Sequence, residues 1–247
     1  MGKQRDTKIK DLERLRSQRL LAREALYRAG KLNFKESGSA KWADFSVDEK
    51  GRMIASVQHD DVKGCTPEMI KWFFEHLGCC TTWNGVDFSG PQVSIYHLWH
   101  HRDHVAVTPL TGYKGKENLG FIQGGTSRIH ELTNEMNDVI YYEMKTVRLD
   151  THEFTFNVMK NGKATGHVKH VYEPTSDGCT FYAETRVGVD EGGFINKFLV
   201  PRLYSKQAGM EWIHHNIEET GRMQDILPIL YENQDKVFLD KKFIKFD

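Results

Sequence analysis

Glu153-Phe154-Thr155-Phe156-Asn157-Val158-Met159-Lys160-Asn161-Gly162-Lys163-Ala164-Thr165-Gly166-His167-Val168 reads as two extended runs hinged at Asn161-Gly162, and that hinge sets the fold. A two-residue hairpin turn wants positive φ at both positions, which Asn and Gly tolerate better than other residues. The chain is therefore expected to fold back on itself over 153–160 and 163–173. Asp177-Gly178 is a second hairpin signal and returns the run 180–189 alongside. Upstream, extended runs read at about 93–107, 121–132 and 139–149, with a Gly/Lys loop at 111–125. Successive short strands on tight turns predict an antiparallel meander.

The period changes after Asp190-Glu191-Gly192-Gly193, and residues 203 to about 220, following Pro201, predict one long helix ending at Gly221. Thr66-Pro67-Glu68 is a helix start: a hydroxyl cap, a proline in the first turn and an acid where the helix dipole favours one. That helix carries Met69, Ile70, Trp72, Phe73 and Phe74 to Gly78, and a Trp83-Asn84-Gly85 turn follows. Residues 5–29 predict a charged helix with Ile9, Leu12, Leu15, Ala22 and Leu26 as its apolar positions and Gly30 as its stop. Nothing nearby in sequence covers that stripe, so a second chain is its expected cover. Residues 31–50 read as irregular and Arg52–Gln58 as a short strand. The fold class is α+β. The expected architecture is a helix-grip fold, a curved antiparallel sheet wrapped around a long C-terminal helix with a cavity between. Residues 1–64 form a helical N-terminal segment and 65–247 the helix-grip domain.

Thirty-four basic and 34 acidic residues leave a net charge of zero, which removes any global electrostatic case for nucleic acid. The local basic stretch, residues 3–35, reads as a solvated helix face or an assembly arm. Four cysteines, at 65, 79, 80 and 179, contain no CxxC pair, so neither a zinc knot nor a disulfide framework is indicated. No signal-peptide core and no window of ~18 uninterrupted apolar residues stands out, and the expectation is a soluble cytoplasmic protein. HExxH, G-x-S-x-G, P-loop and GxGxxG motifs are all missing from the sequence.

Chemistry concentrates in two places. In His214-His215-Asn216-Ile217-Glu218-Glu219, helical spacing puts His215 and Glu219, or equally His214 and Glu218, on one face. An imidazole and a carboxylate so spaced can hold adjacent corners of a metal's coordination shell, and mixed His/Glu ligation suits zinc with an open position. In Tyr96-His97-Leu98-Trp99-His100-His101-Arg102-Asp103-His104, read as a strand, Tyr96, His100, Arg102 and His104 share one face. His104 is then a candidate ligand, with Tyr96 and His100 as candidate substrate contacts. Asp103 lies on the opposite face, where it fixes a neighbouring imidazole only through a bulge or from another strand. A third ligand is expected from a neighbouring strand: Glu131, at a strand end, in preference to Glu135 at a turn tip. If Asp177-Gly178 is a two-residue turn, His167 and Tyr182 fall on one side of the hairpin and His170 with Tyr172 on the other; a three-residue turn favours His170.

Thr66 through Phe74, the Trp-His-x-x-Asp-His core of residues 99–104, and His215-Asn216-Ile217-Glu218-Glu219 together resemble the 2,4-diacetylphloroglucinol hydrolase/phloretin hydrolase family, in order over about residues 50–225. The resemblance implies a zinc enzyme with a helix-grip domain and a small N-terminal portion used for homodimerisation. It further implies hydrolysis of the carbon–carbon bond between an acyl group and a polyhydroxylated aromatic ring. Its zinc ligands match His104, Glu131, His215 and Glu219; a histidine near the metal matches His167, and substrate-positioning tyrosines match Tyr96 and Tyr182. Val107 stands where the diacetylphloroglucinol enzyme has asparagine, which shifts the expected substrate towards phloretin or another monoacyl phloroglucinol. In the implied mechanism zinc acidifies a water and polarises the ketone, the tyrosines hold ring hydroxyls, and His167 or a metal-bound water moves a proton to the leaving ring carbon. Two other classes use the same fold without a metal: a carrier of a hydrophobic aromatic ligand and a polyketide aromatase/cyclase.

Overall fold

A computed structural model describes residues 2–116, 119–134 and 138–244. In chain order the elements are α1 (Gly2–Arg28), β1 (Trp42–Val47), β2 (Met53–Gln58), β3 (Val62–Lys63), α2 (Pro67–His76), β4 (Cys80–Thr81), β5 (Val93–Ser94), α3 (Ile95–Trp99) and β6 (His104–Thr111). Then come β7 (Thr126–Thr133), β8 (Asp138–Leu149), β9 (Glu153–Lys160), β10 (Lys163–Pro174), β11 (Gly178–Val187) and a π-helical turn, Ile195–Leu199. The chain closes with α4 (Val200–Leu203), α5 (Lys206–Glu232), β12 (Val237–Phe238) and α6 (Lys241–Ile244).

The architecture is α+β, a mixture of helices and antiparallel sheet. The main sheet runs β1-β2-β11-β10-β9-β8-β7-β6, with β3 also on β11, and β12-β4-β5 make a small second sheet. The Asn161-Gly162 turn is the expected two-residue hairpin: Lys160 pairs with Lys163, and φ is 51° and 74° at the two turn residues. The next hairpin is wider, because Pro174 pairs with Cys179.

One face of the sheet holds the core. Phe154, Phe156, His170, Tyr172, Phe181 and Ala183 are buried there, and the Phe74 ring of α2 lies 4.5 Å from Phe154 and 5.3 Å from His170. Thr66 caps α2 by accepting from the Met69 amide at 3.3 Å. Ser205 caps α5 through the Ala208 amide, and α5 crosses the β1–β2 end of the same face. A Cβ on Gly209 would stand 2.3 Å from the Phe45 ring, so only glycine permits that approach.

Four expectations are corrected. The run 93–107 is not one strand. Ile95 to Trp99 are all buried with no alternation, and they coil into α3 before the chain turns into β6. Helix α5 does not stop at Gly221 but continues to Glu232, since the bare Cα of Gly221 serves close packing: a Cβ there would meet the Lys35 side chain at 2.8 Å. The region 31–50 contains β1, and with β2 and β3 it belongs to the main sheet, so the boundary at residue 64 separates no independent body. The apolar stripe of α1 is largely covered from within the chain: Leu15, Ala22, Ala25 and Leu26 are buried, while Leu12 stays exposed. Arg222 of α5, itself wholly buried, donates to the carbonyls of Lys31, Leu32 and Asn33 and ties down the chain leaving α1. Among the described residues no helix is long and apolar enough to cross a membrane.

Candidate metal centre

Three elements converge on one buried nest. β6 begins at His104, which pairs in register with Glu131 of β7. One turn of α5 brings His215 and Glu219 to the same point, their Nε2 and Oε2 3.6 Å apart. His104 Nε2 is 3.4 Å from Glu219 Oε2 and 3.9 Å from Glu131 Oε1. Ligand atoms of His104, Glu131 and His215 all lie within 4.8 Å of one another.

The surroundings fix which atoms face inward. His104 Nδ1–H donates to the Tyr96 carbonyl at 2.8 Å, and His215 Nδ1–H donates to Asp103 Oδ2 at 2.9 Å. Each ring therefore turns its Nε2 to the nest. Asn216 Nδ2 donates to Glu219 Oε1 at 2.6 Å, and the Asn216 oxygen accepts from His59 Nε2 at 2.9 Å, which leaves Glu219 Oε2 directed at the histidines. The Tyr96 hydroxyl donates to Glu131, and its ring stacks on His104 with centroids 3.7 Å apart. Burial, reinforced by Glu131, holds the Tyr96 hydroxyl well above its ordinary pKa, so it remains a donor.

His104 Nε2 is buried and has no hydrogen-bond partner. It is an acceptor that faces two carboxylates, and acceptors facing one another without a cation or proton between them are strongly disfavoured in a dry site. The protonation tendencies say the same. Burial pushes Glu219 up to about 8 against the pull of His215, and it raises Glu131. Burial lowers His104 well below the usual imidazole range. For His215 burial is outweighed by the Asp103 bond and the two glutamates, which raise it to about 9. The donor set of two imidazoles and two carboxylates is one that a borderline divalent ion accepts.

A second grouping, His100, Asp103 and His215, also lies within ligand range. It has fewer free lone pairs. His100 Nδ1 accepts from the Asp103 amide at 3.1 Å, and its Nε2–H points at Glu218 Oε2, 3.0 Å away. Both nitrogens of His100 are thereby committed. Its ring is wholly buried and stacks on Phe34 at 4.5 Å, so it braces the His215 side of the nest and does not face the adjoining cavity as a substrate contact. Of the two possible helical pairs, His215/Glu219 enters the nest. His214 is half exposed and reaches Glu218 in the next layer at 3.4 Å.

His167 and Tyr182 are elsewhere. They do share a face, as the hairpin parity predicts, but it is the face of β10–β11 turned away from α2 and α5. There, His167 Nε2 is 3.2 Å from Glu184, and the Tyr182 hydroxyl donates to Glu184 at 2.8 Å. His167, with burial opposing, holds the Glu184 carboxyl down at about 2. Their expected places beside the metal are therefore corrected. His170 points to the core side, where burial among Phe74, Phe154 and Phe181 lowers it to about 4, and it too stays out of the nest. Val107 is a core residue against Gly78. Glu135 lies outside the described residues.

The structure adds residues that the sequence did not single out in these roles: Asn216 and His59 behind Glu219, and Arg19 of α1. The Arg19 guanidinium donates twice to the His104 carbonyl, at 2.9 and 2.7 Å. Burial, partly offset by Asp103, lowers it to about 10. A cavity of about 800 Å³ opens beside His215 and Asp103, between α1, the His101–Asp103 turn, the end of β7 and α5.

No protein-family model matches the chain, and no curated protein does. Among solved structures it is similar to a conserved protein of unknown function from Enterococcus faecalis, at 10% identity over 81% of this chain and 82% of that one, with a TM-score of 0.41. A protein from Mycobacterium smegmatis is similar at 8% identity over 77% and 98%, with a TM-score of 0.38. A polyketide-cyclase-like protein from Corynebacterium glutamicum is similar at 8% identity over 74% and 94%, with a TM-score of 0.35. Likeness of this degree assigns no activity to the chain.

Proposed function

We propose that this protein is a metal-dependent hydrolase on a helix-grip fold, with a zinc ion held by His104, Glu131, His215 and Glu219. The observation that carries the reading is the buried, partnerless His104 Nε2, aimed with His215 Nε2 at two carboxylates. An ion bound there would supply an acidified water and a Lewis acid for a carbonyl. The chain's own groups keep the donors ready. Asp103 sets the His215 tautomer, the Tyr96 carbonyl sets that of His104, and Asn216 with His59 holds the Glu219 rotamer. Tyr96, spent on Glu131 and 2% exposed, steadies a ligand and is not offered to a substrate hydroxyl.

The bond cleaved is, on the motif resemblance, that between an acyl group and a phloroglucinol-type ring. With His167 and Tyr182 on the far face of the sheet, their proposed parts in that reaction are withdrawn. That placement favours a second reading, a helix-grip aromatase/cyclase or aromatic carrier that needs no ion. Tyr27, exposed on α1, suits a homodimer contact. The four cysteines, all buried and none in a disulfide, suit a reducing cytoplasm.

The test is the metal content of the purified protein, together with chromatography of phloretin incubated with it before and after chelation. Zinc-dependent release of phloroglucinol and the arylpropionic acid supports the hydrolase. A protein that binds no zinc and leaves phloretin intact refutes it in favour of the second reading.

A further inference from the structure

The cavity beside His215 is unusually cationic for an apolar-walled space. Arg16, Arg19, Arg23 and Arg102 line it, against Asp103 and Glu211, and Leu12, Leu15, Leu20 and Leu132 supply its apolar wall. Arg16, Arg19 and Arg23 follow one another at three- and four-residue spacing, so α1 presents them along one stripe. Two of the four arginines already have work. Arg19 is spent on the His104 carbonyl, and Arg102 pairs with Glu218 while lying 4.8 Å from the Phe34 ring. Arg16 and Arg23 are exposed at the cavity and have no hydrogen bond or ion pair among the described residues. Arg16 and Arg23 lie about 10 Å apart along the helix, at 1.5 Å rise per residue, which is enough to span a small elongated molecule.

We propose that the arginine stripe selects a carboxylate-bearing ketone, with the carboxylate on Arg16 or Arg23, the apolar body on the leucine wall, and the carbonyl end towards His215. This rests on the hydrolase reading for the role of the carbonyl end, and it narrows the substrate class to acyl compounds that carry a negative charge remote from the scissile bond. A planar guanidinium fork pairs with a carboxylate in two parallel bonds, and an excess of one charge sign between low-dielectric walls raises the local concentration of the opposite one. Neutral phloretin would leave both arginines unpaired. Neither Arg16 nor Arg23 touches a proposed metal ligand through any bond described above, so the pair can be removed without disturbing the nest.

The experiment is calorimetric titration of the full-length protein, as purified and after chelation, with 4-oxo-4-phenylbutanoate and with its neutral amide, for wild type and R16Q/R23Q. The expected result is a preference for the acid of about tenfold or more, reduced by salt and abolished in the double variant, whose melting temperature stays at the wild-type value. Equal affinity for acid and amide, binding of neither, or a preference untouched in R16Q/R23Q would overturn the proposal. So would displacement of the acid by acetate at equal concentration, because the leucine wall would then contribute nothing. Zinc binding is measured separately by competition with a chromophoric chelator: its absence sinks the hydrolase reading while leaving the acid preference standing, and the converse result does the opposite.

Discussion

Asp103→Asn is the substitution that reaches the nest with the least change of shape. Asp103 accepts from His215 Nδ1 at 2.9 Å, its side chain is only 13% exposed, and Asn replaces an oxygen by an amide without altering volume. What is lost is the charge that makes His215 a stronger electron-pair donor and holds its tautomer. Partners of this kind behind a metal-bound histidine are worth about 10- to 100-fold in metal affinity. At ~1.36 kcal/mol per tenfold, that is about 1.4 to 2.7 kcal/mol. Because stabilisation by a bound ion follows its affinity, the same amount should disappear from the zinc-dependent stability at fixed free zinc. For a protein of this size each kcal/mol moves the melting temperature by ~2–4 °C, so the zinc-induced shift should shrink by about 3–10 °C. The assay is thermal unfolding followed by tryptophan fluorescence, with zinc buffered by a competing chelator, alongside direct affinity titration. An Asn variant that binds zinc within twofold of wild type would refute the assignment of Asp103 as the partner of a metal-holding His215. A wild type showing no zinc-dependent shift would refute the centre itself.

Three further outcomes follow from the same geometry. Burial lowers His59 and His97 to about 3 and His170 to about 4, so the folded state resists protonation that the unfolded chain accepts near 6.5. The stability these groups provide is complete above that value and is lost as pH falls below it, at ~1.4 kcal/mol per histidine per unit. Chemical denaturation midpoints should therefore drop steeply between about pH 6.5 and 5, and a flat profile would contradict the buried neutral rings. His167→Ala and Tyr182→Phe should leave zinc affinity unchanged, since both side chains serve Glu184 on the opposite face, and a tenfold loss in either would put them back at the centre. Arg222→Ala removes the donors to three carbonyls from a fully buried site and should cost about 3–5 kcal/mol in denaturant unfolding; a loss under ~1 kcal/mol would show those carbonyls satisfied by other means.

Much of the sheet and the helical His/Glu pair was readable because each depends on local rules. Asn161-Gly162 has few alternatives to a tight hairpin, and residues four apart on a helix must share a face. The position of Glu131 opposite His104 was legible for a similar reason, as that of a polar residue near a strand end. The failures were of another kind. Parity correctly paired His167 with Tyr182 but cannot by itself say which face is inward. The signal that could have decided it was present, since Val168, His170 and Tyr172 alternate against the more polar His167, Lys169 and Glu173. The 93–107 run was misread because five consecutive buried residues have no period, and only the carbonyl of Tyr96, reached from His104, reveals the turn. The brace of His59 on Asn216 joins residues 157 positions apart, a contact that no local pattern encodes.

Arg19 has a consequence for how the N-terminus behaves in handling. Its grip is on the backbone of His104, a proposed ligand, while Arg222, three residues beyond Glu219, fastens the chain just after α1. The first helix and the nest therefore share a mechanical foundation, and thermodynamic linkage works in both directions. Whatever an ion adds to the ordering of His104 and α5 is added to the hold on α1. Protease nicking around Ala29–Lys31 becomes a remote gauge of occupancy, and a fusion partner that pries α1 away mimics a ligand mutation without changing one.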